Sequence, residues 1–481
     1  MKKNLLIKNA IFNMVYTGLN VLFPLVSGIY TSRVLLADGV GKISYAQNIA
    51  SYFLLLAALG IPTHGVREIA KARDSKEEKN TVFTELFLIN AFSTLICTVA
   101  YYVIICSFNV FQDRFVLHLI FGSTILCNLF NVDWFYKGEE EYQYIAIRST
   151  LIKLVSLVAL FLFVKSRDDY VTYAIILCVA TAGNYFFNVI NLRKHVKLSF
   201  RNLNFMRHLR PVIILVACTL ATEIYSKVDT TMLGVLVGDD SVGYYTNAQK
   251  LVNTVITLSI GFTGVFLPRL SYYYAEDKNE FDSLVNIGFQ VLVFITVPFC
   301  IGTYMVSQHI IPILYGDTFN ASIAVLKVFS PLIIIKGVGD LLCYQAMVCA
   351  NQEKRLVISY TVAALINVVL NALLIPSLEQ NGAAIASVIS ELVVNGTLFV
   401  QSLKLFKYNL KPKFIYSVIL SSGGMLAVIT LINKLNLSNL ESLLLNVLIG
   451  GGVYVFLNIL CRNEVCLLVL EKVKAKKPRQ G

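Results

Sequence analysis

The sequence predicts an all-α polytopic membrane protein with about fourteen transmembrane helices, arranged as two six-helix lobes in a parallel repeat plus two extra C-terminal helices. Three observations predict this fold class: an apolar composition, long apolar runs that recur along the chain, and an alternation of charge between the connectors. Hydrophobic residues make up 56% of the 481 residues and charged residues only 15%, whereas soluble proteins carry about 25% charged residues.

Apolar runs of roughly 20 residues, the length that crosses a bilayer, follow one another with short connectors between them. The first run begins after MKKNLLIK and reaches about Leu36 without the small-residue cleavage site of a signal peptide, so we expect it to be retained as the first span. The predicted spans are 10–36, 43–66, 81–107, 115–136, 144–164, 170–192, 211–236, 242–267, 284–306, 319–348, 355–375, 381–402, 414–433 and 440–461.

Lys and Arg residues are concentrated in every second connector. With the N-terminus placed in the cytoplasm, the inner segments hold 29 of them and the outer ends and loops hold 6. Because short cytoplasmic loops accumulate these residues, the distribution predicts that both termini are cytoplasmic. It also accounts for the net charge of +12, which therefore does not indicate a nucleic-acid partner.

The ten cysteines lie within or at the ends of apolar runs, and no two form a CxxC pair. A free buried cysteine behaves as a small hydrophobic residue. The sequence therefore predicts neither a metal site nor a cofactor.

An internal repeat relates the two halves of the chain. Residues 38–47 read DGVGKISYAQ and residues 240–249 read DSVGYYTNAQ, an offset of 202 that also pairs Arg67 with Arg269. This offset equals six spans, so the repeats have parallel topology, and a substrate site is expected at their interface. We therefore expect an N-lobe at 1–210, a C-lobe at 211–413, and two added spans with a basic cytoplasmic tail at 414–481.

Five motifs, spread over both halves of the chain, indicate a family. In the first half they are YTSRVLLADGVGKISYAQNIASYF (30–53) and LGIPTHGVREIAK (59–71). In the second half they are DTTMLGVLVGDDSVGYYTNAQK (229–250), PRLS (268–271) and LYGDTF (314–319). Together they resemble the Wzx-type polysaccharide flippases of the MOP exporter superfamily. The resemblance covers essentially the whole chain and implies two lobes around a central cavity.

The resemblance also implies a function. Members of this family carry undecaprenyl-diphosphate-linked oligosaccharide repeat units from the cytoplasmic to the outer leaflet by alternating access, for O-antigen or capsular polysaccharide biosynthesis. The expected setting is the bacterial cell inner membrane, with ion coupling, and with a polysaccharide polymerase and a chain-length regulator as partners.

Three charges interrupt the seventh predicted span (211–236), within the stretch TLATEIYSKVDTTMLGVL (219–236). At about 100° per residue, Glu223 and Lys227 share one stripe with Thr and Ser residues, while Asp229 points elsewhere. Either the two charges neutralise each other as an i,i+4 pair at a helix–helix contact, or the stripe lines a water-filled lumen. The Thr and Ser residues that extend the stripe favour the lumen.

Other charges at membrane depth are candidates for substrate binding, because such charges usually face a cavity or a partner. Lys153 lies deep in its span, whereas Lys250 and Arg148 either line the cavity or extend to an interface. Arg33 either binds a diphosphate bidentately or caps its helix. The candidates for substrate binding are Arg33, Arg148, Lys153, Lys227, Lys250 and Lys336.

Acidic residues in the spans are candidates for ion coupling. Asp340 follows Lys336 at the same i,i+4 spacing, in the opposite order. At the cytoplasmic entrance, Arg67 and Arg269 either hold a lipid headgroup or are ordinary inner-side cations. The ion-coupling candidates are Glu223, Asp229, Asp340 and Glu391.

Two other classes of function compete with the flippase. A cation-coupled multidrug exporter of the related MATE branch would favour acidic residues in its cavity, and the tally of span charges does not separate the two branches. The number of spans and the particular motifs favour the polysaccharide branch. An enzyme that polymerises or ligates lipid-linked sugars would need a sizeable external loop, and the outer connectors are too short for one.

Overall fold

The computed structural model describes residues 2–261, 266–350, 352–409, 411–435 and 437–467. All regular secondary structure in these ranges is helical, as predicted. Two predicted segments lie partly outside the described residues: residues 262–265 of the span 242–267, and residues 468–481 of the basic tail.

The described chain divides into two compact units, Met1–Gly243 and Tyr244–Gly481. In the first unit, one long N-terminal helix packs against the third, fourth, sixth and eighth helices, and the sixth packs against the seventh. The helices of this unit are α1 (Lys2–Ala58), α2 (Ile61–Lys71), α3 (Lys76–Ser107), α4 (Phe115–Cys127), α5 (Asp133–Gly138), α6 (Tyr142–Phe163), α7 (Tyr170–Leu192) and α8 (Met206–Leu236).

The second unit is built around one long helix, Lys278–Tyr315, which packs against four shorter helices, Ala321–Phe329, Leu332–Gly339, Pro412–Ile432 and Asn439–Leu445. The helix Glu353–Ser402 packs against the first two of these. The helix Asp239–Ile260 begins at the end of the first unit and continues into the second. The remaining helices are α9 (Asp239–Ile260), α10 (Phe266–Glu276), α11 (Lys278–Tyr315), α12 (Ala321–Phe329), α13 (Leu332–Gly339), α14 (Ala346–Cys349), α15 (Glu353–Ser402), α16 (Pro412–Ile432), α17 (Asn439–Leu445) and α18 (Gly451–Leu460).

The sequence assigns residues 211–236 to the C-lobe, whereas α8 packs within the first compact unit. The predicted lobes follow from the sequence repeat, whereas the compact units follow from contacts between residues. The domain division therefore stays a prediction.

Ten helical stretches of the described residues are long and apolar enough to cross a membrane. Two of these, Phe23–Lys71 and Lys354–Ser402, have 49 residues each, about twice the length of one crossing. Each contains a residue with left-handed backbone that breaks the helix, Leu36 (φ 59°) in α1 and Glu379 (φ 49°) in α15. Helices α8 and α9, with 31 and 22 residues, are also long enough, so the fold is consistent with fourteen spans.

The internal repeat is visible in the backbone of the turn that precedes each repeat motif. Leu36 has φ 59° and Gly238 has φ 137°, and the two positions are 202 residues apart. Left-handed backbone is costly for a residue with a side chain and is natural for glycine. Each of these residues lies two positions before the aspartate that opens its motif.

The glycines of the two motifs make equivalent close contacts. A Cβ atom on Gly41 would lie 1.8 Å from the carbonyl oxygen of Asp239, and one on Gly243 would lie 2.2 Å from that of Ala37. Gly41 and Gly243 are 202 residues apart, and so are Ala37 and Asp239. The offset of the repeat therefore converts one contact into the other. Both contacts leave no room for a Cβ atom, so glycine is required at both positions.

We predict that Gly41→Ala and Gly243→Ala each lower the melting temperature of the purified protein, because the added methyl group forces two backbones apart at a cost of about 1–3 kcal/mol. Gly28→Ala on the same helix α1 is the matched control, since its added Cβ would meet nothing within 4 Å. Equal melting temperatures for all three variants would show that the glycine contacts do not hold the turns together.

Candidate functional site

The charged stripe of α8 lies against α1. Nζ of Lys227 is 2.6 Å from Oε2 of Glu223, one turn earlier on the same helix, and donates a hydrogen bond of 3.0 Å to Oγ of Ser51 on α1. About one third of each of the two charged side chains is exposed. The ion pair predicted from the i,i+4 spacing is therefore formed, and its lysine is shared with a neighbouring helix.

A second layer of hydrogen bonds fixes the same contact. The side-chain amide of Asn48 donates to the carbonyl oxygen of Lys227 at 3.0 Å and to Oγ1 of Thr231 at 2.8 Å. The hydroxyl of Tyr52 lies 3.2 Å from the same Thr231 oxygen. Polar side chains on about two turns of α8 thus face polar side chains on about one turn of α1. We call the following residues the α1–α8 polar cluster: Asn48, Ser51, Tyr52, Glu223, Lys227 and Thr231.

Asp229 lies off this stripe, as the helical spacing predicts, and only 3% of it is exposed. A buried carboxylate is stable only when it is paired or hydrogen-bonded, and Asp229 takes part in such interactions. Its burial distinguishes it from Glu223, which is accessible.

In the second unit, Lys336 forms its ion pair across helices. Its Nζ lies 3.5 Å from Oε2 of Glu391 on α15, and the amide of Asn395 donates to Oε1 of Glu391 at 3.0 Å. Asp340, four residues after Lys336, accepts a hydrogen bond of 2.8 Å from Nε2 of Gln345. The structure thus joins two predicted candidates, Lys336 and Glu391, that are 55 residues apart in the sequence.

Arg148 is 7% exposed and lies near the start of α6. Its Nη2 is 2.9 Å from Oδ1 of Asp133, which also accepts from Nδ2 of Asn188 at 2.6 Å. The guanidinium lies 5.4 Å from the ring centroid of Tyr144. Arg148 is therefore held by neighbouring side chains of the protein at the start of α6.

Lys153, five residues further along α6, has different surroundings. Its Nζ is 6.0 Å from the ring centroid of Phe23, and it lines a cavity of about 190 Å³ together with Tyr173, Thr181 and Asn184. An ammonium group beside hydroxyl and amide groups in a cavity is suited to binding a polar ligand. The cavity role predicted for Lys153 stays a prediction.

The other predicted cations are on helix surfaces. The exposed ones are Arg33, Arg67, Lys250 and Arg269. Their roles stay predictions.

Sequence reasoning missed a buried carboxylate in the first turns of α3. Glu85 is fully buried and accepts hydrogen bonds from Nε of Arg207 at 2.9 Å and from Nε2 of His208 at 2.8 Å. Nδ1 of His208 lies 2.9 Å from Nε2 of His64 on α2. Because an ionised carboxylate only accepts hydrogen bonds, Nε2 of His208 is its donor and Nδ1 accepts from His64.

These four residues, which we call the Glu85 cluster, join α2 and α3 to the start of α8. Burial lowers the pKa of His208, so the imidazole is neutral near pH 7. The sequence does show that Glu85 is an acidic residue inside a predicted span with no basic residue one turn away. This pattern indicates a partner from a distant part of the chain but does not identify it.

The helices long enough to cross a membrane define the class of the protein, a multi-pass membrane protein. The fold agrees with solved members of that class. The lipid II flippase MurJ in an inward closed conformation superposes with a TM-score of 0.78 at 17% identity, over 95% of this chain and 100% of that one. A MATE-family multidrug resistance transporter of the MOP superfamily gives 0.62 at 14% identity, over 82% and 98%.

The sequence identifies the family. The family model described as polysaccharide biosynthesis protein matches residues 6–274, more than half of the chain, so the chain belongs to the polysaccharide biosynthesis protein family. A protein of Escherichia coli K12, provisionally named an O-antigen transporter, is 24% identical over 410 residues, 83% of this chain and 97% of that protein. A protein of Haloferax volcanii, provisionally named flippase AglR, is 27% identical over 237 residues, 48% of this chain and 49% of that protein.

These comparisons confirm the resemblance that the motifs indicated and the all-α membrane fold. The relatives are named as transporters and flippases, in agreement with the prediction that the chain is not an enzyme.

We predict that Glu85→Gln lowers the free energy of unfolding by about 1–3 kcal/mol, because the buried partners of the carboxylate lose a charged acceptor. The measurement is the melting temperature of the purified full chain. Glu464→Gln is the control: it breaks an exposed ion pair with Lys411, and such pairs contribute about 0–1 kcal/mol. Equal melting temperatures for the two variants would contradict a stabilising role of the Glu85 cluster.

Proposed function

We propose that this protein is a flippase that moves an oligosaccharide linked to undecaprenyl diphosphate from the cytoplasmic to the outer leaflet of the bacterial cell inner membrane. The observation that carries the proposal is the relationship to the Escherichia coli K12 protein provisionally named an O-antigen transporter, along 97% of that protein. The charged pair Glu223–Lys227 beside α1 supports it, because charged groups at membrane depth usually face a cavity or a partner.

The physical chemistry of the substrate explains why a protein is required. Moving one unpaired hydroxyl from water into hydrocarbon costs about 4–8 kcal/mol. An oligosaccharide with roughly ten hydroxyls would therefore face a barrier of about 40 kcal/mol or more. A polar path between helices removes most of this cost, while the lipid chain of the substrate stays in the bilayer.

The cations of the apolar helices are suited to the diphosphate. We propose that Arg33, Lys153 and Lys227 contact its oxygens by charge-assisted hydrogen bonds. Lys250, Lys336 and Arg148 are further candidates for the same role. Arg67 and Arg269 would first hold the headgroup at the cytoplasmic entrance.

The Glu223–Lys227 pair suggests how an ion gradient enters the cycle. The two side chains are 2.6 Å apart, so a diphosphate that arrives at Lys227 has to compete with Glu223. A proton on Glu223 would remove that competition, and its release would expel the substrate. Asp229, Asp340 and Glu391 are the other carboxylates proposed for coupling.

The cycle we propose is alternating access of two lobes, with both termini cytoplasmic. The distribution of 29 Lys and Arg residues inside and 6 outside supports this orientation. A polysaccharide polymerase and a chain-length regulator are the proposed partners on the O-antigen or capsule pathway.

A MATE-like exporter of organic cations is the second candidate, favoured by the fold similarity with a TM-score of 0.62. The two candidates differ in the charge of the cargo. Export of an organic cation from cells, lost on deletion of the gene, would support the exporter and contradict the flippase.

We predict that Lys153→Ala combined with Lys227→Ala slows translocation of a fluorescent lipid-linked oligosaccharide at least about tenfold in reconstituted vesicles, because each loss removes a charge-assisted hydrogen bond to the diphosphate. Lys434→Ala, which removes an exposed lysine beyond the end of α16, is the control for net charge. Unchanged translocation by the double variant would contradict the proposed role of the cations.

We predict that Glu223→Gln binds the lipid-linked substrate more tightly than the wild type and translocates it at a rate that no longer rises with an imposed proton gradient. The reason is that Lys227 loses its competing carboxylate. Substrate-induced stabilisation and vesicle translocation are the two measurements, with Glu464→Gln as the surface control. A gradient dependence equal to that of the wild type would exclude Glu223 as the coupling group.

A further inference from the structure

A long groove runs along the contact between α6 and α7 on the first unit. It has a volume of about 710 Å³ and is open on one side, and its walls are apolar except at its Arg148 end and at Ser156. The α6 wall includes Leu151, Val155 and Phe163, and the α7 wall includes Val179 and Gly183. The exposed fractions of Val155 and Val179 are 69% and 64%, so the described protein does not cover this face, and in a membrane-spanning helix pair we expect lipid to contact it.

The groove ends at a buried cation with unused donors. Among the described residues, Nε and Nη1 of Arg148 have no hydrogen-bond partner, although both atoms are buried. Its Nη2 is already paired with Asp133 at 2.9 Å. An unpaired buried donor costs about 1–3 kcal/mol, and an anionic oxygen at the mouth of the groove would satisfy two such donors at once.

The length of the groove selects the kind of lipid. From Arg148 to Phe163 the helix rises by about 22 Å, whereas one leaflet of the hydrocarbon core is about 15 Å thick. The chain of an ordinary phospholipid ends near the midplane and would fill only part of this length. A chain that follows the whole groove has to be longer than one leaflet.

We propose that the α6–α7 groove binds the chain of a polyprenyl phosphate, with its phosphate at the Arg148 end. The inference deepens the proposed function and rests on it for the identity of the lipid. It assigns Arg148 to the phosphate of a lipid bound on the outer face of the helix pair, and it places the isoprenoid chain in the bilayer beside α6 and α7 while the sugars cross elsewhere.

The test is binding of a polyprenyl monophosphate without sugars to the purified full chain in neutral-lipid nanodiscs. Val155→Trp fills the groove and is expected to weaken binding at least about tenfold, one step of 1.4 kcal/mol. Leu154→Trp is the matched control, since Leu154 is the adjacent residue, is 54% exposed and does not line the groove. Arg148→Gln is expected to weaken binding of the phosphate and to leave binding of the uncharged polyprenol unchanged.

Three results would overturn the proposal: equal binding by the wild type and Val155→Trp, equal weakening by Leu154→Trp, or displacement of the probe by phosphatidylglycerol at equal concentration. The last would show that any anionic lipid fills the groove. Translocation by vesicles that contain the wild-type protein separates the groove proposal from the flippase proposal. If the wild type translocates the substrate and Val155→Trp binds the probe as well as the wild type does, only the groove proposal is wrong. If binding depends on the groove but the wild type does not translocate the substrate, only the flippase proposal is wrong.

Discussion

A charge inside an apolar helix is stable only if it is paired, hydrogen-bonded or hydrated, and the helix contacts of this protein follow from that requirement. Lys227 in the middle of α8 has Glu223 one turn away and Ser51 across the contact on α1. The backbone of the same lysine accepts from Asn48. Removing any one of these groups would leave another without its partner at membrane depth. The same rule explains why Lys336 reaches Glu391 on another helix and why Glu85 gathers its donors from the start of α8.

The repeat supplies the second constraint, because it fixes how the chain turns at one side of the membrane. Left-handed residues at Leu36 and Gly238 end one helix and start the next, and the glycines that follow let backbone approach backbone. Leu36 adopts this backbone without being glycine, at a cost of about 1–2 kcal/mol. That strained position is offset by the close contacts around it. A polar helix contact at membrane depth and turns that bring backbone close to backbone are the two features that this unit combines.

Much of the fold and part of the site could be predicted from the sequence. The spans, the family and the Glu223–Lys227 pair depend on local composition and on spacings within one helix, and these the sequence displays directly. The Glu85 cluster could not be predicted, because its donors lie more than 100 residues away and nothing local selects them. The pairing of Lys336 with Glu391 could not be predicted for the same reason, because spacing within one helix offers Asp340 as the nearer carboxylate. The α6–α7 groove depends on the relative placement of small residues such as Gly183 on two helices, which no single-helix pattern encodes.

The proposed transport function requires the α1–α8 polar cluster to face water and substrate within the thickness of the membrane. The most direct test is Ser51→Cys in a chain whose ten native cysteines have been replaced, treated in membrane vesicles with a membrane-impermeant thiol reagent. A thiol reacts as the thiolate, which requires water and is favoured beside a cation such as Lys227. Phe92→Cys, at a position 70% exposed on an apolar surface, supplies the lipid-facing reference. We expect the cysteine at position 51 to react and lipid-linked oligosaccharide to protect it. A cysteine at position 51 as unreactive as the one at position 92 would show that the cluster is dry and does not line a path for the substrate.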